Sequence, residues 1–251
     1  MASFEEEYRK QEPLVRRLSS LALLGKKIVV KGQENFIKKG PNILIGNHIG
    51  SFKDIATLLK IVPRPIFFTA NKMIFNKNEF NFLIRKHAQR HLKRFGVFLD
   101  LILSPIKSIF VNYITTNIGK VGMIPVDMYG GKTLAIEQCQ SHLKEGKAIV
   151  ALQGRGRVEK KDANPYVRDF KRGASIISYS LYQEGISVPI TPLAVFGTHF
   201  PFLVPVKVRV NVGEPMYVKD YLGKDFSETI ERFRKAQEER VKKLLSEIIL
   251  S

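Results

Sequence analysis

The stretch Asn42-Ile43-Leu44-Ile45-Gly46-Asn47-His48-Ile49-Gly50-Ser51-Phe52-Lys53-Asp54 is an apolar run that ends in a polar cluster and leads into the helical pattern of Asp54 to Ile61. A short apolar run stopped by glycine reads as a buried strand, and the apolar spacing after it as one face of a helix. Strand, polar turn and helix in that order form the unit of an α/β sheet, in which chemistry-bearing side chains stand beyond the strand ends.

The same alternation continues on both sides. Upstream, Lys27 to Val30 reads as a strand after a helical first 25 residues, where Glu5 to Glu7 lie early, Arg16 and Arg17 late, and Leu14, Leu18, Leu21 and Leu24 recur at helical spacing. Pro13 is expected to kink or restart that helix. Downstream, strands are expected at Pro65 to Thr69, Gly122 to Val126, Ala148 to Leu152, Val188 to Val195 and Val206 to Val212. Helices are expected at Lys132 to Lys144, Gly173 to Gln183 and Ser227 to Leu250, the last opened by Asp225 with Glu228 three residues on. Pro189 and Pro192 within an apolar strand imply an edge or a bulge. The fold class is therefore α/β: a single mixed, largely parallel sheet flanked by helices. A helical segment over 1–25 precedes one domain over 26–251.

Between the third and fourth strands, about 80–114 carries no strand signal. Its first half mixes Phe82, His87, Arg90 and Lys93 into a basic amphipathic helix suited to an anionic lipid surface. Phe95 to Ile114 holds Asp100, Pro105 and Lys107, so it is expected to lie on a membrane rather than cross one, docking through Phe95, Val97, Phe98, Leu99, Leu101, Ile102 and Leu103.

Composition narrows the partners. Across 251 residues, 41 Lys and Arg against 23 Asp and Glu leave a net charge of +18, which points to something negative. The single cysteine, Cys139, excludes an internal disulfide framework and any cysteine-built metal site. Acidic residues near the start oppose a reading as an export signal. Nucleic acid is not the expected partner, because the aromatic residues sit in apolar runs rather than among Arg and Lys as stacking platforms.

Two constellations carry chemistry. His48 and Asp54 form the minimal general-base pair, the imidazole taking a proton and the carboxylate fixing its tautomer; a histidine that caps the helix or packs under a loop fits the spacing equally. No Gly-x-Ser-x-Gly elbow supplies an enzyme nucleophile, so the pair would activate a substrate hydroxyl. Gln153-Gly154-Arg155-Gly156-Arg157, after an apolar run, offers forked donors beside flexible backbone: an anion pocket, or a solvated basic turn. Lys171 and Arg172 stand at a helix start, where the dipole disfavours cations unless an anion is shared.

Taken in order, these segments resemble the glycerophospholipid acyltransferases, the family of lysophosphatidic acid acyltransferase and glycerol-3-phosphate acyltransferase. The resemblance rests on Val30 to Asn35 leading into Ile45-Gly46-Asn47-His48, then Gly122 to Asp127, Phe170 to Ala174, Val188 to Pro192, and Val212 to Pro215. It implies that His48 is the general base, Asp54 its orienting carboxylate, and Asn47 and Gln153 supporting residues. Arg155 and Arg157, with Lys171, would hold the acceptor's phosphate, and Gly154 would let it near the backbone. The implied donor is acyl-CoA or acyl-ACP as co-substrate, with no tightly bound cofactor and no metal. The implied acceptor is lysophosphatidic acid, with glycerol 3-phosphate, or a catalytically impaired lipid-binding member, as the alternative. Residues 1–25 would associate with a membrane, placing the protein peripherally on its cytoplasmic face. This sequence departs from the family in having five residues between His48 and Asp54 instead of four, which requires the turn to bulge by one; in Gln153-Gly154 where the family starts with Glu; and in Met128 where it has Arg.

Overall fold

A computed structural model describes residues 4–86, 104–127, 130–131, 133–159, 161–201 and 203–250. Seven strands form one mixed, mostly parallel sheet flanked by helices: β1 (Lys26–Lys31), β2 (Asn42–His48), β3 (Ile66–Asn71), β4 (Met123–Val126), β5 (Ala148–Gly154), β6 (Ile190–Phe196) and β7 (Val206–Val212), in the order β1-β7-β6-β2-β5-β3-β4. The pairs β1–β7, β2–β5, β2–β6 and β3–β4 are parallel, and β6–β7 is antiparallel. Strand position explains composition. Central β2 and β6 are buried over their first six residues, whereas edge strand β1 alternates half-buried and exposed side chains along Lys26–Lys31. A parallel strand covered on both faces must be continuously apolar.

Register decides what meets at the strand ends. β2 runs beside β5 from Asn42↔Ala148 to Asn47↔Gln153 and His48↔Gly154, so the histidine turn and the arginine loop leave the sheet side by side. Two stretches more than a hundred residues apart in sequence are thereby joined.

The helices are α1 (Phe4–Ala22), α2 (Phe52–Ile61), α3 (77–86), α4 (Ser104–Asn117), α5 (Thr133–Lys144), α6 (Gly173–Gln183) and α7 (Phe226–Leu250). α1 continues through Pro13 without ending, at the cost of the backbone donor that proline lacks. α7 opens as its sequence suggests: the Glu228 N–H donates to Asp225 Oδ1 at 2.8 Å, and the Glu228 carboxylate turns back to the Lys224 N–H at 2.6 Å. Its stripe of Ile230, Phe233, Val241, Leu244, Leu245 and Ile248 is buried.

Pro189 precedes β6, and Pro192 lies within it in the sheet's interior, not on an edge, so the bulge is the alternative that holds. Ile190 pairs with Met216 and Leu193 with Val212, so the step from 190 to 193 faces a longer step from 216 to 212. The extra residue lies in Gly213 to Pro215, the ladder breaks where Pro192 has no donor, and the Pro192 carbonyl still accepts the Gly213 N–H at 2.8 Å.

The chain forms two compact units. The larger comprises Pro13–Phe67 and Ile136–Ser251 and holds β1, β2, β5, β6, β7 and every candidate site residue named above. Cys139 is buried in it, and burial pushes its thiol up to about 12. The smaller comprises the described residues up to Glu12 with Phe68–Ala135; in it β3 pairs β4, and Lys72 Nζ meets Asp127 Oδ2 at 2.5 Å. The described parts of 80–114 are helical, whereas His87, Arg90, Lys93, the docking residues Phe95 to Leu103, and Met128 lie outside the described residues. Among the described residues no helix is long and apolar enough to cross a membrane.

Candidate active site

His48 ends β2, and Asp54 lies in the first turn of α2, where a helix N-terminus favours a carboxylate. Their side chains meet with Nδ1 2.8 Å from Asp54 Oδ2. Between them the chain turns at Ser51, whose φ of 54° and ψ of −132° precede the start of the helix. The carboxylate also organises that turn: Oδ2 accepts the Ile49 N–H at 2.9 Å and the Gly50 N–H at 2.8 Å. Asp54 is fully buried, and its Oδ1 accepts the Thr198 hydroxyl from the loop after β6. Every contact runs from a donor to the carboxylate, so Nδ1 carries a proton, and in the neutral ring Nε2 keeps the lone pair.

Asn47 is fully buried beside this pair. Its amide replaces the ladder where β2 and β6 part: Nδ2 donates to Val195 O at 2.9 Å and Tyr166 O at 3.2 Å, while Oδ1 accepts the Val195 N–H at 2.8 Å. It fixes the strand tip that carries His48.

Gly154 and Gly156 bring the arginine loop onto the histidine. A Cβ at Gly154 would come 2.6 Å from the His48 carbonyl oxygen, so the missing side chain there is required by the histidine's own backbone. The Gly156 N–H donates to that carbonyl at 3.1 Å, and a Cβ at Gly156 would lie 3.2 Å from Nε2. The atom able to accept a proton therefore faces Gly156. Arg155 and Arg157 flank it, both tied to Glu159: Arg157 Nε donates to Oε1 at 2.9 Å, and Arg155 Nη1 lies 3.8 Å from the same oxygen. Arg168 approaches Oε1 at 3.8 Å as well. The Arg157 hydrogen bond foremost, with the neighbouring guanidinium charges, holds the Glu159 carboxyl below the usual glutamate range against the opposing effect of desolvation.

The sequence matches the model of the acyltransferase family over residues 27–196, two thirds of the chain, including β2 to β6, all but the first residue of β1, and all eight candidate residues. The chain belongs to the acyltransferase family. Its fold is similar to that of the 1-acyl-sn-glycerophosphate (LPA) acyltransferase PlsC from Thermotoga maritima, with 20% identity and a TM-score of 0.57 over 98% of this chain and 84% of that one. A comparison with curated protein sequences gives no match.

Two of the acyltransferase's expected site residues act at one remove. Gln153 Oε1 accepts the Lys171 N–H at 3.0 Å, and Nε2 donates to Ala151 O at 3.2 Å, fastening the 171 segment to the end of β5. Lys171 joins the site through its backbone, while its side chain is exposed. The anion that offsets the cationic start of α6 is the protein's own: Arg172 Nε lies 3.4 Å from Glu231.

Sequence patterns gave no sign of Thr198, Glu159, the part played by Gly156, or Lys53 and His199. Lys53 is buried and donates to Phe200 O at 2.5 Å; burial, with Lys26 nearby, lowers its pKa. His199 packs its ring on Phe200, Phe196 and Tyr166, and its Nδ1 is buried without a hydrogen-bond partner among the described residues. Burial foremost and Lys53 next push its pKa down. Among the described residues no group of three His, Cys, Asp or Glu side chains could hold a metal ion.

Proposed function

We propose that this acyltransferase moves an acyl group from a thioester to the free hydroxyl of lysophosphatidic acid in phospholipid biosynthesis. The observation that carries the reading is the 2.8 Å contact between His48 Nδ1 and Asp54, with Nε2 turned toward Gly156 between two arginines. Nε2 takes the hydroxyl proton as the oxygen attacks the thioester carbonyl. The tetrahedral intermediate then collapses, breaking the carbon–sulfur bond, and the imidazolium returns its proton to the departing thiolate. Phosphatidic acid and a free thiol leave, and no acyl group rests on the protein. Asp54 stabilises the imidazolium that forms between the two steps.

Arg155 and Arg157 hold the acceptor's phosphate, with Lys171 at the margin. Glu159 holds Arg157 through Nε, which leaves the guanidinium's terminal nitrogens for phosphate oxygens. The Arg155-x-Arg157 spacing favours glycerol 3-phosphate as the second acceptor to test. The donor is acyl-CoA or acyl-ACP, both carrying acidic groups that suit a chain of net charge +18. The same charge suits peripheral association with an anionic membrane on its cytoplasmic side.

The test offers both acceptors and both thioesters to wild type, His48→Ala and Asp54→Ala, and identifies products by mass spectrometry. We expect phosphatidic acid from wild type and a loss of at least about a hundredfold in each variant. Turnover in His48→Ala equal to wild type would remove the mechanism.

A further inference from the structure

Two non-glycine positions among the described residues have left-handed backbone, Ser51 and Leu203. Ser51 turns the chain between His48 and Asp54. Leu203, at φ 62°, gains no burial in return: its side chain is 66% exposed. A branched residue avoids this region, so a leucine displayed there is a conformation held in place by its surroundings.

Two lysines hold it. Lys53 Nζ donates to Phe200 O, and Lys26 Nζ donates to Pro201 O at 2.7 Å and Val204 O at 2.8 Å. Gly25 packs beneath, where a Cβ would lie 3.2 Å from the Leu203 carbonyl oxygen. These ammonium donors satisfy the carbonyls of Phe200, Pro201 and Val204, and Pro201 and Pro205 have no N–H to satisfy. Those three carbonyls can therefore leave water without being stranded, a condition hydrocarbon imposes and water does not. Phe200 and Val204 are exposed beside Leu203. Leu21 near the end of α1 and Leu24 just after it, 63% and 53% exposed, border a shallow depression shared with Arg16, Arg17 and Ser20.

We propose that Phe200, Leu203 and Val204 form a wedge that enters the interfacial layer of an anionic lipid surface. Exposed large apolar side chains beside the Lys26 ammonium match an acyl layer beneath negative headgroups. The wedge begins two residues after Thr198, which holds Asp54, so it seats the reaction centre at the surface where a lipid acceptor resides. The wedge rests on the lipid-acyltransferase reading only for its purpose.

The test measures sedimentation of wild type, Leu203→Asp and Leu203→Gly with phosphatidylcholine vesicles, with and without phosphatidylglycerol. Wild type should bind the phosphatidylglycerol vesicles more tightly, and both variants should bind them about tenfold more weakly. Leu203→Gly separates the wedge from a fold defect, because glycine relieves the left-handed strain and should leave thermal stability equal or higher while binding falls. Undiminished sedimentation of Leu203→Gly overturns the wedge, as does weakened binding of an acyl carrier protein with lipid binding intact. Failure of the function itself looks different: no phosphatidic acid from any protein, with the variants' loss of vesicle binding still present.

Discussion

Thr198→Val tests the support of Asp54, the carboxylate proposed to orient His48. The substitution keeps the side chain's shape and removes the donor to Asp54 Oδ1, an oxygen in a fully buried residue. A hydrogen bond to a charged group contributes about 1.5–3 kcal/mol. For a chain of this size roughly 2–4 °C of melting temperature accompanies each kcal/mol, so calorimetry should find a fall of about 3–12 °C. The same carboxylate oxygen pair holds the His48 tautomer, and a comparable free energy withdrawn from the imidazolium corresponds to a loss of about ten- to a hundredfold in kcat. KM for the phosphate-bearing acceptor should stay constant, because the arginine loop does not touch Thr198 through any of the contacts described. Thr198→Ser restores the hydroxyl and should recover most of both losses. Turnover of Thr198→Val within about twofold of wild type, or a Ser variant as impaired as the Val variant, would refute the argument.

Gly156→Ala places a methyl 3.2 Å from Nε2 on a backbone with φ 71°, and should abolish transfer in a steady-state assay while the protein still folds; measurable transfer near the wild-type rate would mean the hydroxyl approaches from elsewhere. Arg157→Ala should raise KM for the acceptor about tenfold with kcat little changed, whereas Glu159→Gln, which loosens Arg157 but leaves it charged, should raise KM by less than about fivefold in the same kinetic measurement. Glu238 is buried: desolvation works to raise its pKa, but the Lys242, Phe170 and Arg234 contacts outweigh this and hold it below the usual glutamate range. A depressed folded value means stabilisation that is present above the unfolded value and lost as pH falls through the folded one. Melting temperatures of wild type and Glu238→Gln should therefore differ most near neutrality and converge in acid.

The parts of the fold legible in the sequence are those that local pattern controls. The apolar runs of β2 and β5, the Asp225 start of α7 and its buried stripe follow from neighbours a few residues away. The meeting of His48 with Asp54 is local too, being one turn long. The position of Pro192 in the interior of the sheet was not legible, because the order of strands is set by tertiary packing and a one-residue bulge can accommodate proline anywhere along a ladder. Glu159 and Gly156 become site residues through the His48↔Gly154 register, which no run of residues within one strand encodes. Thr198 reaches Asp54 across 144 positions, and Lys53 carries no mark of burial in its immediate sequence.

The silence of Cys139 has a practical consequence. With its thiol enclosed in α5 and pushed up to about 12, the native chain offers maleimide reagents almost no thiolate at neutral pH. A cysteine introduced at position 203 can be labelled without first deleting the native one. A fluorophore attached there, read with quenchers fixed at different depths of the acyl chains, would measure how far the loop tip travels into the leaflet.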